Sequence, residues 1–154
     1  MNASGDRALH HLLVSRGYSP VELTRTKVGH FSIAGTIGGR SVVFLLDTGA
    51  SRTVIDRGTA ASLGLEPRFV DNLGGGLGAM SARIDSAPVA NVTLDGFETH
   101  LDGVFVMDLD TVNQALVANG SEPVDGVVGA DVLLHSGAII DYGRGVLYLQ
   151  GPQP

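Results

Sequence analysis

The stretch FSIAGTI-GG-RSVVFLLD, residues 31–47, constrains the fold more than any other part of the chain. Two runs of strand-forming residues flank Gly38-Gly39, a dipeptide suited to the left-handed turn of a two-residue hairpin. Elsewhere 22 glycines are scattered among apolar runs instead of being gathered in a linker. That punctuation predicts short strands joined by tight turns. The 154 residues make one ordinary domain. A chain of that length buries roughly 70% of its unfolded surface, so it needs no metal or disulfide to hold it together.

The other elements follow the same logic. Residues 6–16 set Ala8, Leu9, Leu12 and Leu13 on one helical stripe, with Ser4 as a cap and Gly17 and Pro20 as a stop. RTVID, residues 52–56, reads as a strand, and RGTAASLGL as a helical turn or two ended by Gly64. APVANVTL, Asp95-Gly96 and ETHLDGVFVMDL read as a second hairpin. Residues 111–118 predict a short helix capped by Asp110 and stopped at Asn119-Gly120. DGVVGADVLLHSG predicts an apolar strand that runs into a helix. AIIDYGRGVLYL predicts a closing hairpin with its turn at Tyr142–Gly145.

Composition removes several function classes. With no cysteine, thiol catalysis and cysteine-based metal sites are excluded. A net charge of -6, no basic cluster and only 5% aromatic residues argue against nucleic-acid binding. The histidines at 10, 11, 30, 100 and 135 show no metal-binding spacing. DLDTVN, residues 108–113, opens like a calcium loop but carries Val112 and Asn113 where an acid or amide and a glycine are required. Gly74 to Ala79 mimics a dinucleotide fingerprint, yet no helix follows it to hold a pyrophosphate. Ser15, Ser51 and Ser81 lack a nucleophile elbow. No apolar run reaches 18 residues, so membrane association is not indicated.

What is left is Asp47-Thr48-Gly49 at the end of an apolar run. One carboxylate is a poor hydrolytic catalyst, because cleavage needs both a base and an acid. Two carboxyl groups about 3 Å apart cannot both ionise, so one is base and the other acid. A small hydroxyl residue can fasten such a loop, and a glycine lets its backbone approach a partner and a substrate.

LLDTGAS followed by TVID, with GVVGADVLL further on, resembles the retropepsin-like aspartic proteases, in particular their short single-lobe bacterial members. The resemblance covers roughly residues 28–150. It implies a mainly β, closed acid-protease barrel with short helices that works as a homodimer. It makes Asp47 the catalytic acid, with Thr48 and Gly49 supporting its loop and Thr48 cross-bracing the two loops of a dimer. Ala50 and Ser51 would lie against the substrate backbone. Val127, Val128 and Gly129 would form the downstream strand beside the loop, backed by a helix over residues 130–135. The run holding Gly75, Gly76, Leu77 and Gly78 matches the family's glycine-tipped flap. The chain departs from the viral members in having Ala130 and Asp131 where those place an arginine directly after the glycine.

Only one Asp-Thr-Gly occurs. Asp141-Tyr142-Gly143 puts a tyrosine where a small hydroxyl is needed, and Asp95-Gly96, Asp102-Gly103 and Asp125-Gly126 read as turns. The second acid is therefore expected from Asp47 of a second copy across a two-fold axis. The expected function is an aspartic endopeptidase acting on peptides or proteins, without cofactor or metal. The rivals are a non-catalytic binding or dimerisation module of the same fold, and a latent protease gated by association. The expected organisation is a helical extension over residues 1–27, a protease domain over 28–150 and a tail over 151–154. A cytoplasmic location is the default, and a periplasmic one follows if a signal peptide has been removed.

Overall fold

The computed structural model describes residues 3–73 and 82–152. Four helices are present among them: α1 (Ala3–Ser15), α2 (Arg57–Ser62), α3 (Asp110–Ala118) and α4 (Ala130–His135). The strands of the first half are β1 (Tyr18–Glu22), β2 (Thr24–Arg25), β3 (Phe31–Ile37), β4 (Arg40–Leu46), β5 (Val54–Asp56) and β6 (Arg68–Leu73). Those of the second half are β7 (Ala82–Pro88), β8 (Val92–Leu94), β9 (Phe97–Glu98), β10 (Gly103–Met107), β11 (Gly126–Val128), β12 (Ile139–Asp141) and β13 (Val146–Gln150).

The first hairpin forms as its sequence predicts. β3 and β4 pair antiparallel from Ser32↔Leu45 to Ile37↔Arg40. Gly38 and Gly39 both take positive φ, 56° and 79°, which a side chain would oppose. Phe31, Ile33 and Ile37 of β3 and Val42 and Phe44 of β4 point into the core. Burying a side chain such as Phe44, which is fully inaccessible, contributes about 1.5–3 kcal/mol.

β4 sits centrally because it pairs on both edges. β3 lies on one side, and β11 runs parallel to it on the other, with Val127 opposite Leu45 and Val128 opposite Leu46. β11 also pairs antiparallel with β5. The path runs β6-β7-β10-β5-β11-β4-β3-β8-β9, with β2 also on β3. A separate sheet, β1-β13-β12, pairs Tyr18–Glu22 with Val146–Gln150, so residues 18–22 are tied to the end of the chain.

Three expectations are corrected. First, the described strands form no closed barrel: the end strands β6 and β9 do not pair with each other. Packing closes the core instead, since Val21, Leu147 and Leu149 of the small sheet share one buried cluster with Phe31, Ile33 and Phe44 of the large one. Second, the hairpin around Asp95-Gly96 is only two pairs long, Thr93↔Glu98 and Leu94↔Phe97. The Thr99 backbone N–H and hydroxyl both donate to the Val92 carbonyl at 2.9 Å and end that ladder. β10 then enters between β7 and β5, where Val104 and Val106 are buried. Third, Asp110 is the first residue of α3, not its cap; its own N–H donates to Asp108 Oδ1 at 2.8 Å. In α1 only Leu13 of the apolar stripe is buried, while Leu9 and Leu12 face solvent.

Candidate active site

β4 alternates, so Phe44 and Leu46 turn inward while Val43 and Leu45 turn outward. The next residue on the outward face is Asp47, which is exposed. Its backbone N–H donates to the Val128 carbonyl at 3.1 Å, extending the β4–β11 pairing by one bond. The chain then turns sharply. Ala50 N–H donates to the Asp47 carbonyl at 3.2 Å, and Gly49 N–H donates to Asp47 Oδ1 at 2.9 Å. One carboxylate oxygen is thus held by the loop's own backbone.

The far side of the loop is pinned to α4. Ala130 N–H donates to the Ala50 carbonyl at 2.7 Å. Gly129 sits against this loop so closely that a Cβ there would come within 2.7 Å of the Arg52 carbonyl and 2.8 Å of the Ala50 oxygen. Only glycine permits that approach.

A buried polar knot lies directly below, and the sequence reading did not single it out. Thr53 is 1% exposed. Its hydroxyl donates to Asp131 Oδ1 at 2.7 Å and accepts from Gly129 N–H at 3.2 Å, and its N–H donates to Asp131 Oδ2 at 2.9 Å. Asp131 also takes the Val132 N–H at 2.9 Å, at the start of α4. Arg52 approaches Asp131 at 3.9 Å and stacks over the Phe105 ring at 5.0 Å.

Asp125, read as a turn residue, is a second brace. It accepts from Val43 N–H at 2.8 Å and from the Thr59 hydroxyl at 3.2 Å, tying β4 to α2. The signal available in the sequence was an acid directly preceding an apolar-glycine run, which turn statistics alone do not separate from a loop. Asp56 caps α2 through Gly58 and Thr59 and also accepts from Leu109 N–H.

Of the expected site residues, Asp47, Gly49, Ala50, Val128 and Gly129 are brought together by these bonds. Val127 and Val128 are buried supports, and Thr48 and Ser51 are exposed beside Asp47 in sequence. Gly75, Gly76, Leu77 and Gly78 lie outside the described residues. Asp141 ends β12, where its carboxylate accepts from Arg144 N–H of the following turn at 3.0 Å. Oxygens of Asp56, Asp108 and Asp110 lie within 4.8 Å of one another, but Asp56 and Asp108 already serve backbone N–H groups.

Two further charged clusters surround the scaffold. Asp85 of β7 is 2% exposed and bound by Arg57 of α2 and by Arg83, the latter at 2.9 Å. Hydrogen bonds from Arg57 and then Arg83 hold its carboxyl below the ordinary value of 3.8. His100 stacks on His135 of α4 with ring centroids 3.6 Å apart. Burial, then the neighbouring His135, pushes His100 below its usual 6.5, against the pull of Asp131 and Asp102.

A sequence profile of the aspartyl proteases matches residues 33–132, from β3 through the start of α4. The chain belongs to the aspartyl protease family. The match spans both the Asp47 loop and the Gly129 motif that supports it. A retropepsin-like aspartic protease from Rickettsia conorii superposes with a TM-score of 0.59 at 22% identity, over 86% of this chain and 90% of that one. EIAV protease in complex with the inhibitor HBY-793 gives 0.51 at 22% identity, over 71% and 90%. The retroviral protease-like domain of Ddi1 from Leishmania major gives 0.50 at 22%, over 77% and 83%. This aspartyl protease chain therefore has a retropepsin-like fold, mainly β with short helices. No curated protein matched it in a sequence comparison.

Proposed function

We propose that the protein is an aspartic endopeptidase that works as a homodimer, with Asp47 of each copy forming the catalytic pair. The observation that carries this reading is an exposed Asp47 carboxylate on a loop fixed to β11 and α4, one oxygen held by Gly49 N–H. A rigid mount of this kind suits chemistry that depends on placing one carboxyl against another.

Among the described residues the other acids near the loop are engaged, Asp131 with Thr53 and Asp125 with Val43 and Thr59. A second copy related by a two-fold axis supplies the missing group by symmetry. The ionised Asp47 takes a proton from a water lodged between the two carboxyls. The water oxygen attacks the peptide carbonyl carbon, and the protonated Asp47 of the partner gives its proton to the developing oxyanion. The resulting tetrahedral diol collapses as the amide nitrogen is protonated, the C–N bond breaks, and one proton is again shared by the pair.

Thr48 and Gly49 hold and shape the loop, and Ala50 and Ser51 border the substrate backbone. Residues 28–150 are the catalytic unit in this reading, with the N-terminal helix an addition to it.

The test is cleavage of an unfolded, reduced and alkylated protein at mildly acidic and neutral pH by wild type and by Asp47→Asn. Wild type cleaves and the variant, folded by circular dichroism, does not. Equal cleavage by both would falsify the assignment. Molar mass measured alongside activity across protein concentration tests the dimer, since activity should track the dimeric fraction.

A further inference from the structure

Strand register lines up four side chains across the large sheet. Arg68 of β6 lies opposite Ser86 of β7, Ser86 opposite Phe105 of β10, and Phe105 opposite Val54 of β5. The chain neighbours Asp85, Val104, Val106 and Ile55 are buried, so the row stands on the face turned away from the core. Arg68 is exposed, and Ser86, Phe105 and Val54 are half-buried. Arg52 joins the row from the end of the Asp47 loop, its guanidinium lying over the Phe105 ring at 5.0 Å. Neighbouring strands stand about 4.8 Å apart, so only two strand spacings separate Arg68 from that ring, with Ser86 between them. The positive charge of this face is not balanced. Arg57 and Arg83 share Asp85 as their counter-ion, whereas Arg68 makes no ion pair or side-chain hydrogen bond with another described residue. Asp131 stands 3.9 Å from Arg52 Nε, and its oxygens already accept from Thr53 and Val132. The Arg52 side chain is 55% exposed, and its terminal nitrogens donate to no described residue.

We propose that this row binds an acidic side chain of the protein substrate, its carboxylate held between Arg52 and Arg68, so that cleavage is directed to bonds at a fixed remove from a glutamate or aspartate. The inference rests on Asp47 being the catalytic acid. Arg52 directly follows Ala50 and Ser51, which border the substrate backbone in that reading, and its carbonyl packs against Gly129 in the same braced loop. β5 is the strand that leaves this loop, and β10, β7 and β6 lie successively further out. The acidic residue is therefore bound away from the scissile bond, not beside it. A guanidinium offers a planar fork of donors that matches a carboxylate, and the Phe105 ring fixes one side of the Arg52 fork.

The experiment starts from bonds cleaved in an unfolded, reduced and alkylated protein, mapped by mass spectrometry. Peptides spanning one such bond then carry a single Glu or a single Gln at each flanking position in turn. At one position wild type should favour Glu over Gln by about fivefold or more in kcat/KM, as a charge-assisted hydrogen bond supplies. Raising the salt to about 0.5 M should shrink that preference, since the pair faces solvent. Arg68→Gln and Arg52→Gln should each lower the ratio at least about threefold, as loss of one of two charges in the pair of arginines requires. Arg16→Gln, an exposed arginine that follows α1, should leave the ratio as in wild type. Circular dichroism confirms that each variant is folded, and Arg68, which holds no described residue in place, keeps the test open if Arg52→Gln does not fold. No preference for Glu at any position, or a ratio unchanged in Arg68→Gln, overturns the assignment of the row while the protease reading stands. No cleavage of unfolded protein, in wild type as in Asp47→Asn, overturns the protease reading and this inference together.

Discussion

Thr53→Val tests whether the knot under the Asp47 loop holds the scaffold. Valine keeps the shape of threonine, so no cavity forms; what disappears is the hydroxyl. Two bonds go with it, the 2.7 Å donation to Asp131 Oδ1 and the 3.2 Å acceptance from Gly129 N–H. A hydrogen bond to a charged group contributes about 1.5–3 kcal/mol, and a buried N–H left unpaired costs about 1–3 kcal/mol. The Gly129 bond is buried, so water does not replace it. A central expectation is a loss of about 3 kcal/mol, or some 6–12 °C in melting temperature for a domain of this length. The assay is urea denaturation followed by circular dichroism, with protein concentration fixed because association contributes to apparent stability. The midpoint should fall with little change in slope. In an Asp131→Asn background the same substitution should cost at least ~1 kcal/mol less, because the shared bond is already weakened. A loss below about 0.5 kcal/mol in the wild-type background would refute the reasoning: Thr53 would then be buried for its methyl group alone.

Two groups couple stability to pH. Asp85 has its carboxyl lowered by Arg57 and Arg83, so the native state binds fewer protons than the unfolded chain below about pH 3.8. Its contribution is present above that value and lost as pH falls through the lowered native one. Asp85→Asn should therefore reduce the melting temperature at pH 7 and converge on wild type towards pH 3, in calorimetric scans over that range. His100 is likewise pushed down, by burial and by His135, so wild type should lose stability as pH falls from about 6.5 through the native value. His100→Phe keeps a ring on His135 while removing that titration, and denaturation midpoints at pH 7 and pH 5 should lie closer together than in wild type.

The first hairpin was legible because everything that specifies it is local. Gly38-Gly39 sets the turn and the alternation from Phe31 to Leu46 sets the faces, within one short segment. The Asp47 loop was legible for a similar reason: an acid, a hydroxyl and a glycine follow an apolar strand without interruption. β10 was misassigned because its partners are remote. It reads as well against β8 as between β7 and β5, and only the burial of Val104 and Val106 decides. Asp125 failed in the same way: it reads as a turn residue, and its role comes from Val43, far along the chain. Asp85 and Asp131 carry no local signal either, since their partners Arg57 and Thr53 are equally remote.

These braces have a common direction. Asp131 fixes the strand after the loop to α4, Asp125 fixes the strand before it to α2, and β11 lies between β4 and β5 with hydrogen bonds to both. Asp125 and Asp131 are therefore engaged in holding the backbone around the loop, leaving the Asp47 carboxylate as its outward-facing acid. A scaffold built for one acid alone would gain little from such rigidity, because a single carboxylate tolerates small displacements in water. Two carboxyls that must share a proton across a symmetry axis do not, since a shift of about 1 Å in a catalytic group can cost ~100-fold in rate. On that argument loosening the knot should harm turnover before it harms folding. A Thr53→Val protein still fully folded at 25 °C should lose kcat while keeping KM, and a variant that keeps kcat would separate the knot from catalysis and leave it as a purely structural brace.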